Sequence, residues 1–213
     1  MIMSSTRRTL RILWLLPVAF CLAGPLHAQN SLPGFADTPW KSAYGRVKDQ
    51  LKNLATSARA TERVEILMEE KDKYILVRRN EVLYRYNFYK TPISVARLDN
   101  HEYSKEDYEN AAAVLYHVKV VIPFIESALI KQRLEAAHGK NSISTVEEAT
   151  MMGADVWELR GGYIFQWYEP YQKKAFTRTI DYLSAEMSQQ IMKEYEDYFD
   201  AREKLILQKL QVK

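Results

Sequence analysis

Cysteine is almost missing from this chain. Of 213 residues only Cys21 carries a thiol, and it lies in a short apolar run at 12–24. Removal of that run leaves no thiol at all, which excludes disulfides, thiolate catalysis, iron–sulfur ligation and cysteine-based zinc sites. Glycine and proline are scarce as well, at seven each, so collagen-like and low-complexity classes are excluded. The excess of positive charge is small and local. Arg7, Arg8 and Arg11 precede the apolar run with no acid beside them, and without these three the remaining 27 basic residues equal the 27 acidic ones. A neutral body lacks the electrostatic footprint expected of a nucleic-acid binder.

Catalytic signatures are also lacking. There is no HExxH, no GxSxG elbow, no phosphate-binding GxxxxGK[ST] and no GxGxxG, the spacings that place ligands, nucleophiles or backbone amides around a reacting group. The expectation is a protein without enzymatic activity, cofactor or metal. No run after residue 24 approaches the about 17–25 apolar residues that span a bilayer, so no transmembrane span is expected in the processed chain.

Three arginines, then a 13-residue apolar stretch interrupted by Pro17, then Leu26-His27-Ala28 before Gln29, follow the order of a secretory signal peptide. The reading is a signal peptide at 1–28, export to a bacterial periplasm or beyond, and a flexible leader at 29–37 containing Pro33 and Gly34.

The remainder, 38–213, is expected to form a single α+β domain of antiparallel β-meanders alternating with helices (α-β3-α-β2/3-α), the helices covering one sheet face. Thr38-Pro39 resembles a helix start, and Trp40, Tyr44, Val47, Leu51, Leu54 and Ala58 recur at helical spacing. Near Glu62 the period becomes two, and three strands at 64–69, 74–79 and 82–89 are expected. Tyr108, Ala111, Leu115, Val118, Ile122, Ile125 and Leu129 read as the stripe of a second helix, kinked at Pro123. Gly161-Gly162 marks a hairpin, and Ser184 caps a final helix reaching 211 whose overhang suits self-association.

A shift of 81 positions lays Ile75, Tyr84 and Tyr86 on Val156, Phe165 and Trp167 without a gap, suggesting half-repeats at 38–103 and 104–183. Two such units are expected either to pair edge to edge in one antiparallel sheet or to pack as a dimer-like pair. The element order over 38–210 resembles that of the small chaperones of type III secretion and of the YbjN-like proteins, which share an α-β-β-β-α-β-β-α plan. The resemblance lies in element order and implies a protein-binding role.

Asp99-Asn100-His101-Glu102 reads as a strand-to-helix connection, and His117 as a partly buried, hydrogen-bonded histidine rather than a ligand or base. Tyr84, Tyr86 and Phe88, with Tyr163, Phe165 and Trp167, read as core beneath helices. By parity Arg85, Tyr89, Tyr168 and Tyr171 are left over as a candidate binding surface. Arg85 and the other arginines on or beside the strands, Arg78, Arg79, Arg97, Arg160 and Arg178, suit an anion or phosphate site, but the glutamates of the first meander make cross-strand ion pairs the expected fate. The functional expectation is an exported accessory, scaffold or chaperone-like factor acting through envelope protein partners. Its alternative is a small-ligand or lipid carrier with an open aromatic sheet face.

Overall fold

The alternation that begins at Val64 does build strands. The computed structural model describes residues 31–57, 63–90, 112–194 and 201–211. A two-stranded ribbon, β1 (Gly34–Phe35) and β2 (Thr38–Pro39), precedes helix α1 (Tyr44–Thr56). Then come β3 (Val64–Glu70), β4 (Tyr74–Arg79), β5 (Val82–Tyr89) and β6 (Val114–Glu126), followed by α2 (Ser127–His138). Strands β7 (Ile143–Ser144), β8 (Gly153–Leu159), β9 (Gly162–Tyr171) and β10 (Lys174–Ser184) lead to α3 (Ala185–Glu194) and α4 (Ala201–Gln211). The large sheet has the order β3-β4-β5-β6-β10-β9-β8-β7. Two four-stranded meanders therefore meet edge to edge through β6 and β10, which pair antiparallel with Val120 opposite Ile180.

The helix expected through Leu115–Ile125 is a strand, and this changes the element order on which the chaperone resemblance rests. Flanked by β5 and β10, β6 is buried on both faces over Leu115–Val118, and its apolar residues run almost continuously. Such a run contains helical spacings by coincidence, whereas its wealth of Val and Ile favours a pleated strand. Pro123 lies in the stretch between Val121 and Ile125, which face Thr179 and Thr177 across an irregular register. A missing N–H is tolerated at such a bulge. Residues 91–111, which include the proposed start of that helix at Ser104, lie outside the described residues.

The helices cover both faces, not one. Tyr44, Val47 and Leu51 of α1 and Ile130 and Leu134 of α2 pack with Ile75, Val77, Tyr86, Val118, Trp157 and Ile164. On the other side Met187 and Ile191 of α3 and Ile206, Leu207 and Leu210 of α4 pack with Val156, Tyr163, Phe165 and Leu183. Tyr163-Ile164-Phe165 are consecutive and all buried, and a strand sandwiched between two layers requires that pattern. The C-terminal segment forms two helices that touch each other. Ser184 caps the first of them as expected, its Oγ accepting from Met187 N at 3.3 Å.

The stretch read as a loose leader is anchored from Ser31 onward. Leu32 N donates to Arg160 O at 2.8 Å, and Phe35 sits among Tyr84, Tyr86 and Tyr182, 4.9 Å from the last ring. Thr38-Pro39 forms β2 rather than a helix start, and α1 begins at Tyr44 without a side-chain cap. The hairpin turns fall between Arg79 and Val82 and between Leu159 and Gly162. They coincide at a shift of 80, one less than the sequence echo. A one-residue slip exchanges sheet faces: Ile75 and Tyr86 lie with α1, whereas their echo partners Val156 and Trp167 lie with α3 and α4.

Candidate binding face

Directly opposed residues in an antiparallel sheet share a face. On the face carrying α3 and α4, one row runs Leu76, Arg85, Lys119, Asp181, Phe165, Val156 across β4, β5, β6, β10, β9 and β8. The next row runs Tyr74, Asn87, His117, Leu183, Tyr163. Helices α3 and α4 bury the β8–β10 end of these rows. Toward β3 the same face holds Tyr74, Leu76, Arg78, Leu83, Arg85, Asn87, Lys119 and Val121, none of which is buried. Half of one sheet face is thus left accessible among the described residues, with polar groups concentrated at its border.

At that border lies a closed polar network. Asp181 is 2% exposed and His117 9%. His117 Nε2 lies 2.8 Å from Asp181 Oδ1, and Trp167 Nε1 donates to Oδ2 at 2.6 Å. Asn87 Nδ2 lies 3.2 Å from His117 Nδ1 and also donates to Arg85 O at 3.3 Å. Nε2 thus donates to the carboxylate, and Nδ1 faces the Asn87 amide. Burial alone would raise the Asp181 pKa, but the hydrogen bond and charge of His117, Lys119 at 3.9 Å and the Trp167 N–H hold it below the ordinary aspartate value. Both imidazole nitrogens and both carboxylate oxygens are engaged. The space among Phe165, Trp167, Asp181, Leu183, Glu203 and Leu207 has no room for a water molecule. Such a network orients its members and does not present a base to a substrate.

A second buried cluster occupies the opposite face under α2. Asp155 accepts from Tyr168 Oη at 2.6 Å and Asn141 Nδ2 at 3.1 Å, and pairs with Lys131 Nζ at 2.9 Å. Gln166 Nε2 donates to Ser127 O and Thr177 Oγ1. Among the described residues no group of three His, Cys, Asp or Glu side chains is arranged to hold a metal ion.

The four residues singled out by parity do not converge. Arg85 is exposed on the accessible half-face, its guanidinium 4.3 Å from the Tyr74 ring centre. Tyr89 shares that sheet face but is only 4% exposed, edge-on to Tyr116 in the core with α3 and α4, so it is not a surface residue. The cause is the bulge in β6 that brings Tyr116 onto the same side. Tyr168 lies on the other face, and burial, followed by its hydrogen bond to Asp155, pushes its phenol pKa up. Tyr171 is exposed at the β9–β10 hairpin beside Phe124 and Phe176. The expected ion pairing holds for Arg78, which meets Glu65 at 2.6 Å, but Arg85 meets no carboxylate among the described residues. His101 and Glu102 lie outside the described residues.

The reading of His117 as buried and hydrogen-bonded matches its environment, though its element is a strand. Asp181 and Asn87 were missed. The available signal was a lone acid inside the apolar run Ile180-Asp181-Tyr182-Leu183, where an uncompensated charge is costly. Comparisons of the chain with protein-family models, curated proteins and solved structures give no match.

Proposed function

We propose that this chain is an exported, periplasmic, non-enzymatic protein that works by contacting other envelope proteins as an accessory, scaffold or chaperone-like factor. The accessible half of its sheet is the contact face. That half-face is the observation that carries the reading: apolar and charged side chains are interspersed over β4, β5 and β6, while α3 and α4 cover only the other end. The two polar networks support a role without chemistry, because their donors and acceptors are largely satisfied by one another. A carrier would need an open aromatic concavity, and the rings that would line it are packed around Phe35 and Tyr44 or under α3 and α4. Self-association through the C-terminal helix is less favoured, since Ile206, Leu207 and Leu210 face inward and, among the described residues of α3 and α4, Leu205 alone is a large exposed apolar residue.

The export part of the reading is checked by fractionating cells that express the full chain and sequencing the N-terminus of the product. The expected product starts near Gln29 and leaves with the periplasmic fraction. A chain that keeps Met1 and stays in the cytosol overturns the proposal.

A further inference from the structure

Arg85 and Lys119 face each other directly across β5 and β6, with Cβ atoms about 5 Å apart in such pairs, and like charges so placed repel. The flanking groups leave the repulsion only partly compensated. Asp181 is the one acid beside them in the row, it is buried, it lies 3.9 Å from Lys119, and it is already shared with His117 and Trp167. Arg78 is neutralised by Glu65. Arg85 has instead a ring beneath it, for its guanidinium lies over Tyr74, whose hydroxyl is in turn held by Met68 Sδ at 3.0 Å. A guanidinium stacked in this way keeps its planar N–H fork available for bidentate binding.

We propose that Arg85 and Lys119 form a carboxylate-binding site that seats an acidic, amphipathic peptide segment of a partner protein. The inference rests on the contact reading above and names the chemistry of the partner. Charge sets the sign of the ligand: Arg85 and Lys119 are opposed on the accessible face while their nearby Asp181 is buried and engaged, and the planar N–H fork of Arg85 matches a carboxylate. Half-buried Leu76, Leu83 and Val121 surround the pair, so the segment should carry apolar side chains beside its acid. Both β5 and β6 already have neighbours on each side. The partner therefore cannot add as a strand to their backbone, and binds through side chains laid across the sheet.

The test uses the full mature chain and the probe acetyl-Glu-Leu-Glu-Leu-amide, followed by NMR of the Arg85 Nε–H and the Asn87 side-chain amide. Two further probes carry lysine or phosphoserine in place of glutamate. Saturable shifts at these groups with the glutamate peptide, weakened about fivefold in Arg85→Ala and in Lys119→Ala and reduced by added salt, are expected. The lysine peptide should cause none. Both variants alter side chains that are not buried, and amide spectra verify that they stay folded. Unchanged affinity in both variants, shifts confined to another surface, or tighter binding of the phosphoserine peptide overturns the proposal. Peptide binding without any cellular partner would count against the contact reading and leave the site standing. Partner capture undiminished by Arg85→Ala would count against the site alone.

Discussion

Replacing Asp181 by alanine is expected to destabilise the fold by about 3–5 kcal/mol, the range for removing one member of a buried charged pair. The carboxylate is the only group that receives both His117 and Trp167. Its loss strands the buried His117 and the half-buried Trp167 N–H and leaves Lys119 facing Arg85 without the nearby acid. Asp181→Asn keeps the shape and one acceptor, so its cost should be smaller, about 1.5–3 kcal/mol for hydrogen bonds to a charged group. Urea unfolding at pH 7 measures both. The pH dependence distinguishes charge from shape. The folded-state pKa of Asp181 is lowered from 3.8, so the ionised form contributes stability in full above that value and loses it as pH falls through the lower folded pKa. The advantage of the natural chain over Asp181→Asn should be flat from about pH 7 to 5 and shrink below about pH 4. An Asp181→Ala protein within about 0.5 kcal/mol of the natural chain would show that the network contributes little.

The second large effect is expected at Gly153. Its φ is +133°, and a Cβ there would lie 2.3 Å from Thr145 O and 2.8 Å from Val146 Cα. These are backbone atoms that cannot rotate away, because Thr145 N donates to Ala154 O at 2.9 Å and Thr145 Oγ1 accepts from Ala154 N at 3.1 Å. Gly153→Ala combines backbone strain of about 1–3 kcal/mol with overpacking of similar size, for an expected loss of about 3–5 kcal/mol. Gly45 is the control, because nothing lies within 4 Å of a Cβ placed there, and helix propensity should make Gly45→Ala neutral or stabilising. Equal midpoints of the two variants in urea would contradict the close approach of residues 145–146 to β8.

Where one face of an element meets solvent, its period is legible in the sequence. Helix α1 reads correctly from Tyr44, Val47 and Leu51, and the first meander from the alternation after Val64. Where both faces are buried, the period disappears. Strand β6 reads as a helix for that reason, and Tyr163-Ile164-Phe165 offers no clue that its neighbours point into different cores on the two sheet faces. Tyr89 failed as a surface residue because parity counting cannot anticipate a bulge, and the bulge beside His117 moves Tyr116 next to it. Arg85 lies on the exposed side that its parity predicts, because no such irregularity lies between it and Lys119. Asp181 is not legible in the sequence because His117 and Lys119, its partners on β6, lie far from it along the chain and meet it only when the two meanders pair through β6 and β10.

The central claim is that the accessible half-face meets another protein. It is tested most directly by placing the photo-crosslinker p-benzoylphenylalanine at Leu83, on that face, or at Lys52, exposed on α1 across the sheet, in the full chain within intact cells. Illumination should give discrete adducts with one or a few envelope proteins from position 83 and none from position 52. No adduct from position 83, or the same adducts from both, would contradict the account.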